Sequence, residues 1–349
     1  MNSRLKIIHI ILSRGFAGTE RSTAESCNSQ CEDHDVILIC SNKNRRTSGA
    51  TILNHLDPRV KVIQVSKTGL IKPRLQKILD QEQPDIAHAH LRKPTKLLAR
   101  CTTNAAKVST LHIGVNSKEF LKMDALIAIS AWQMGHVPKQ YRGILRWIRN
   151  SLTPHKQPDQ FRAQELKNQL GLDNEQFVVG GIGRLSLSKG WDTLIEAFKR
   201  ADLPNSVLVI IGEGRHKNIF LKKARSSNSD IRFENYKHDV KDYYSIFDVF
   251  VCPSREEPMG RVILEALDAA TPVIASDIEG PKDILTEYPG TLVPVDNIEQ
   301  MKNALIKAKD SSKKNIEQVR PDLSAHNVNN ICREMLALYR DAICEKQKH

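Results

Sequence analysis

The chain has 349 residues, more than one ordinary core supports, and its length fits two domains of about 150 to 200 residues each. A content of 40% hydrophobic and 26% charged residues excludes a disordered or fibrous chain, and no run of about 18 apolar residues is present to span a bilayer. The net charge of +12 sits in one half: residues 1–150 carry 24 basic against 11 acidic side chains, and residues 151–349 carry 28 against 29.

In chain order, apolar strand-like runs at 6–12, 36–40, 60–65, 86–89, 108–112 and 125–129 alternate with helical patterns, as repeated βαβ units of a parallel sheet do. A polar, proline-containing stretch at 151–159 follows, and the pattern restarts at 177–182, 207–211, 231–233, 249–252, 272–275 and 290–293. Apolar residues at helical spacing over 328–344 predict a closing helix. The stretch 132–147, with Lys139, Arg142 and Arg146 between two tryptophans, reads as a linker between domains or as an interfacial anchor. The lysine- and serine-rich stretch 307–314 reads as a solvated helix end or loop.

Two α/β, doubly wound domains are therefore expected, 1–152 and 153–325, with a helical segment 326–349 packing back toward the first. Such sheets bind ligands at the carboxyl ends of their strands, so the functional cleft is expected between the domains. Seven cysteines without CxxC or Cys/His spacing fit neither a disulfide framework nor a zinc site. The N-terminus lacks a basic region followed by a long apolar segment, so a cytoplasmic location is expected.

A basic half suggests a negatively charged surface or substrate. With 5% aromatic residues and no nucleic-acid motif, nucleic acid is not expected as a partner. Anionic lipid headgroups or a phosphorylated glycolipid fit better, with a solvated basic surface as the alternative.

Three segments carry chemistry. Gly15-Phe16-Ala17-Gly18-Thr19-Glu20 follows the first strand, where a glycine turn can bring amides against a phosphate. It is not GxGxxG, and no acidic residue ends the second strand, which argues against hydride transfer. Gly183-Arg184-Leu185-Ser186-Leu187-Ser188-Lys189-Gly190 puts two cations where a diphosphate would lie, positioned to stabilise charge on a departing phosphate. Glu257 and Glu265, eight apart around Pro258-Met259-Gly260, are hydrogen-bond acceptors suited to the hydroxyls of a hexose or ribose. The amides of Met259 and Gly260 at a helix start favour an anion between them.

These segments, in this order, make the chain resemble the family 4 retaining glycosyltransferases of GT-B architecture. The resemblance extends over Asp85-Ile86-Ala87-His88-Ala89-His90, Ser109-Thr110-Leu111-His112, Trp147-Ile148-Arg149-Asn150, Ile211-Gly212-Glu213-Gly214 and Val251-Cys252-Pro253-Ser254. It implies that Glu265 holds the nucleotide ribose, Arg184 and Lys189 the diphosphate, and Glu257 the sugar hydroxyls. It also implies that Gly18 approaches the phosphates or sugar and that His112 contacts the sugar near the reacting carbon. His88 and His90 read as structural. No metal or other cofactor is expected, because the cations replace one. Two positions depart from the family: Met259 stands where Phe is usual, and Asp283, in the loop Gly280-Pro281-Lys282-Asp283, where glutamate is usual.

The expected reaction moves a hexose or N-acetylhexosamine, with retention, from a nucleotide sugar, UDP-sugar favoured, to a hydroxyl of a glycolipid or polysaccharide such as lipopolysaccharide core. The acceptor or the inner membrane face would meet Lys43, Arg45, Arg46, Lys72, Arg74, Arg92, Lys93 and Lys96. The alternatives are a nucleotide-sugar epimerase of the same fold and a non-catalytic scaffold. A glycosidase would need two carboxyls flanking the bond, a task for which Glu257 and Glu265 are less well placed than for binding.

Overall fold

The computed structural model describes residues 3–13, 15–42, 51–66, 70–156, 160–237, 240–312 and 320–348. They form two compact units, Met1–Thr153 with Ser324–His349, and Pro154–Leu323. No helix among the described residues is long and apolar enough to cross a membrane.

The first unit runs β1 (Lys6–Ile11), α1 (Gly18–Gln30), β2 (Asp35–Ser41), β3 (Lys61–Val65), α2 (Ile71–Glu82), β4 (Ile86–His90), α3 (Arg92–Leu98), β5 (Ala106–Leu111), β6 (Ala125–Ala128), α4 (Ala131–Met134) and β7 (Ile144–Trp147). The strands are parallel in the order β3-β2-β1-β4-β5-β6-β7, the doubly wound order with one strand added at the edge. Side chains alternate across a sheet, so Ile8, Ile10, Ala87 and Ala89 share one face with Leu75 and Leu79 of α2 and Leu98 of α3. The opposite face receives His9, in register with His88 across β1 and β4, and His90 two residues on.

The second unit runs α5 (Gln160–Gln169), β8 (Phe177–Ile182), α6 (Trp191–Ala201), β9 (Ser206–Ile211), α7 (Lys217–Ala224), β10 (Ile231–Glu234), α8 (Lys241–Tyr244), β11 (Val249–Cys252), α9 (Arg261–Asp268), β12 (Val273–Ser276), α10 (Glu279–Glu287), β13 (Thr291–Val293) and α11 (Ile298–Ser312). Its parallel strands lie in the order β10-β9-β8-β11-β12-β13. Helix α6 buries Trp191, Leu194, Ile195 and Phe198 on one stripe and ends in Lys199 and Arg200, favourable against a helix C-terminus.

The last helix, α12 (Val328–Gln347), belongs to the first unit and packs on α1 and β5. Asn327 caps it by accepting from the amide of Asn329. Ile331, Met335, Leu338, Tyr339 and Ala342 are buried along one face at spacings of three and four.

Two local expectations are corrected. The stretch 132–147 contains an edge strand, β7, paired with β6 from Ala125↔Ile144 to Ala128↔Trp147. Its four residues are all half-buried and include Arg146, so neither alternation nor a continuous apolar run marks it. Lys309, expected in a solvated stretch, is buried in α11. Its ammonium donates to Ser206 Oγ (2.7 Å) and to the Pro204 carbonyl, because a lysine stem can line a core when its head finds acceptors.

Leu338 is fully buried in α12, so Leu338→Ala is expected to cost about 2–5 kcal/mol in chemical unfolding. An unchanged midpoint would show that this helix is not integral to the first unit's core.

Candidate functional site

In the second unit β8 ends at Ile182 and gives way to the loop 183–190, and its neighbour β11 ends at Cys252 and gives way to the loop 253–260. Both loops therefore lie at the carboxyl ends of adjacent parallel strands, on either side of the position where strand order reverses. Their backbones touch. The amides of Arg255 and Glu256 donate to the Ser188 carbonyl (2.8 and 3.2 Å). Gly190 has φ +64°, and a Cβ there would sit 1.8 Å from the Pro253 carbonyl oxygen, so only glycine fits.

Arg255 closes this junction. Its guanidinium donates to Asp192 Oδ1 and Oδ2 (2.9 and 2.8 Å), to Asp296 Oδ2 (2.8 Å) and to the Leu187 carbonyl. The hydrogen bonds it donates to Asp192 and Asp296 raise its pKa above even the usual arginine range.

Within the frame, Lys189 Nζ is ion-paired with Glu257 Oε2. The side chains are only 25% and 14% exposed, so the pair is partly desolvated and less screened by water and salt than a surface bridge. Burial opposes the ammonium's charge, but the adjacent Glu257 carboxylate outweighs it and the Lys189 pKa is raised. The lysine is cationic at neutral pH. Glu257 Oε1 has no hydrogen-bond partner among the described residues, and the Arg184 side chain is exposed beside the pair. The indole of Trp191 donates to the Arg184 carbonyl (2.9 Å), holding that loop against α6.

Glu265 lies in the second turn of α9 and is buried. Its Oε1 accepts from Arg261 Nε (3.3 Å) and its Oε2 from the Tyr244 hydroxyl (3.0 Å). Met259 is buried, and Gly260 directly precedes α9. The segment expected as a loop, 280–283, forms the first turns of α10. A Cβ on Gly280 would lie 2.2 Å from the Glu257 carbonyl and 2.5 Å from the Met259 amide nitrogen, so α10 packs flush against the loop that carries Glu257.

Residues 162–320 match the model of the family described as glycosyl transferases group 1. The chain carries a group 1 glycosyltransferase domain and is a glycosyltransferase. It is 26% identical, over 90% of each chain, to the UDP-Gal:alpha-D-GlcNAc-diphosphoundecaprenol alpha-1,3-galactosyltransferase of Escherichia coli. It is also 26% identical to the lipopolysaccharide core biosynthesis glycosyltransferase LpsD of Rhizobium meliloti, covering 70% of this chain and 69% of LpsD. The crystal structure of Anabaena HepE in complex with UDP and glucose superposes over 99% of this chain and 100% of HepE, with a TM-score of 0.77 at 18% identity. The fold is that of the GT-B glycosyltransferases.

In the first unit of the glycosyltransferase, Gly18 is the first residue of α1, and Glu20 accepts from the Ala17 amide (2.8 Å), closing the helix start. His112 follows β5, half-buried, with Nε2 3.4 Å from His90 Nδ1. Lys72 and Arg74 are exposed on α2, Arg92 and Lys93 are exposed on α3, and Lys96 is half-buried there. Lys43, Arg45 and Arg46 lie outside the described residues.

Sequence reasoning missed Arg255, Arg261 and Tyr244. Arg261 was readable, since a cation four residues before Glu265 on one helix faces it. Arg255 was not, because Asp192 and Asp296 lie 63 and 41 positions away.

The buried histidines give a pH signature. Desolvation holds His9 down at about 4 and His88 and His90 well below the usual range, so the unfolded chain takes up protons first as pH falls below about 6.5. Stability is fully present above that value and is lost on the way to pH 4. The Tm is expected to fall by about 5 °C or more between pH 7.5 and 5. A flat profile would contradict the burial of neutral imidazoles.

Proposed function

We propose that this glycosyltransferase moves a hexose or N-acetylhexosamine from a nucleotide sugar, with a UDP-sugar favoured, to a hydroxyl of a glycolipid or polysaccharide such as lipopolysaccharide core. The observation that carries the reading is the partly buried Lys189–Glu257 pair at the strand ends, with the exposed Arg184 beside it. The E. coli relative's name gives UDP-Gal as its donor, HepE was crystallised with UDP and glucose, and LpsD is named for lipopolysaccharide core biosynthesis. All three support the choice of donor and acceptor class.

In this reading Lys189 and Arg184 bind the diphosphate, and negative charge growing on it as the glycosidic bond breaks is met by cations already in place. They take the part a metal ion would otherwise play, so transfer is metal-independent. Glu257 spends one oxygen on Lys189 and offers the other to a sugar hydroxyl. Glu265 accepts from the ribose, while Met259 and Gly260 line the anion's approach. Attack from the same face, with the departing phosphate taking the acceptor's proton, gives retention, the outcome that the resemblance to the family 4 enzymes implies. His112 and the helix start at Gly18 contribute from the first unit. The basic residues Lys72, Arg74, Arg92, Lys93 and Lys96, together with Lys43, Arg45 and Arg46, favour an anionic acceptor or the inner face of the cytoplasmic membrane.

A thermal-shift screen over UDP-, GDP- and ADP-sugars identifies the donor, since a ligand that prefers the folded state raises Tm. With that donor and a glycolipid acceptor, Lys189→Ala and Glu257→Ala are each expected to lower kcat about 100-fold or more while the protein stays folded. Full turnover by either folded variant, or release of an epimerised nucleotide sugar in place of a glycosylated acceptor, would overturn the reading.

A further inference from the structure

Behind His112, under α1 and α12, lies a connected group of buried polar side chains that the transfer chemistry above does not use. His9 Nε2 is 2.8 Å from Gln30 Oε1, His9 Nδ1 is 3.0 Å from His90 Nε2, and His90 Nδ1 is 3.4 Å from His112 Nε2. His88 lies against them with Nδ1 2.6 Å from the Tyr339 hydroxyl and Nε2 2.8 Å from Thr110 Oγ1. The rings of His9, His88 and His90 are close enough to share a cation. Each of their six ring nitrogens, however, already has a hydrogen-bond partner, so the group is organised as a proton-ordered chain and not as a ligand set.

The order of the protons follows from the partners at its end. Burial holds His9 and His112 down at about 4 and His88 and His90 well below the usual range, so all four rings are neutral at pH 7. A neutral imidazole has one N–H and one lone pair, on opposite nitrogens. The end of the chain is set by Gln30, whose amide nitrogen lies 3.2 Å from Met335 Sδ. A thioether can only accept, so Oε1 is turned to His9. His9 must therefore donate from Nε2 and accept at Nδ1. His90 then donates from Nε2 and accepts at Nδ1, and His112 donates from Nε2. One local choice at Gln30 is passed along three rings.

We propose that Gln30, His9 and His90 are positioning residues that fix His112 in a single tautomer, proton on Nε2 and lone pair on Nδ1. His112 then meets its ligand only as a hydrogen-bond acceptor from a hydroxyl. The functional half rests on the reading that His112 takes part in transfer, and the relay itself does not. Nδ1 of His112 has no partner among the described residues, which leaves it open for a sugar hydroxyl and hostile to a carbonyl oxygen at the same place.

Long-range proton–nitrogen correlation spectra of the full chain, labelled with ¹⁵N-histidine and assigned with His112→Gln, test the relay directly. At pH 7.5 without ligand, His112 is expected to show a protonated Nε2 and a bare Nδ1. A proton on Nδ1, or two tautomers in exchange, would overturn the relay. His9→Leu removes the acceptor facing His90 and is expected to mix the His112 tautomers and lower kcat/KM about tenfold. His9→Asn, which keeps an acceptor oxygen there, is expected to preserve both. A folded His9→Leu variant with an unchanged tautomer and rate would overturn the proposal, and if that variant fails to fold the wild-type spectrum still decides. Full turnover by His112→Ala would sink the functional half while leaving the spectroscopic result standing.

Discussion

The ammonium of Lys189 and the carboxylate of Glu257 come from positions 68 apart and meet with most of both side chains out of water. Bringing charges out of water costs free energy that their attraction must offset, and it does so only if geometry is held. The second unit is built around holding it. Gly190 lets the lysine's loop run against Pro253, Arg255 in the glutamate's loop fastens it to the lysine's loop through the Leu187 carbonyl and Asp192, and Gly280 lets α10 press on the backbone of 257–259. A fixed cation next to a half-committed carboxylate suits an anionic phosphate linked to a polyhydroxylated ring, because the pair presents one charge and one acceptor in a preset spacing.

The first unit applies the same logic to neutral groups. Its sheet has an ordinary apolar face toward α2 and α3, but the face toward α1 and α12 carries His9, His88 and His90, which could be buried only as neutral, fully hydrogen-bonded rings. Tyr339 and Met335 of α12 supply partners for that group. The terminal helix thus completes a polar core as well as covering an apolar one, which ties the chain's last residues to the strand ends that carry His112.

Much of this was legible in the sequence because it depends on short-range pattern. The alternation of strand and helix gave both sheets, the spacing of Ile331, Met335, Leu338 and Tyr339 gave α12, and Arg184, Lys189, Glu257 and Glu265 stood out by residue type at loop positions. What pattern could not supply was pairing. The partners of Arg255 and the acceptors that let Lys309 be buried are remote in sequence, and β7 is too short and too mixed to register. His9 reads as a polar interruption of an apolar run until the register of β1 with β4 sets it beside His88.

The proposed function requires Lys189, held by Glu257, to be the principal anchor of a nucleoside diphosphate. Titration calorimetry with the best-binding of UDP, GDP and ADP, against its parent nucleoside, isolates the diphosphate's share of affinity. Loss of one charge-assisted hydrogen bond is expected to weaken diphosphate binding by Lys189→Ala about 10- to 100-fold, with nucleoside binding unchanged. A folded Lys189→Ala protein that binds the diphosphate as tightly as the natural chain would contradict the account.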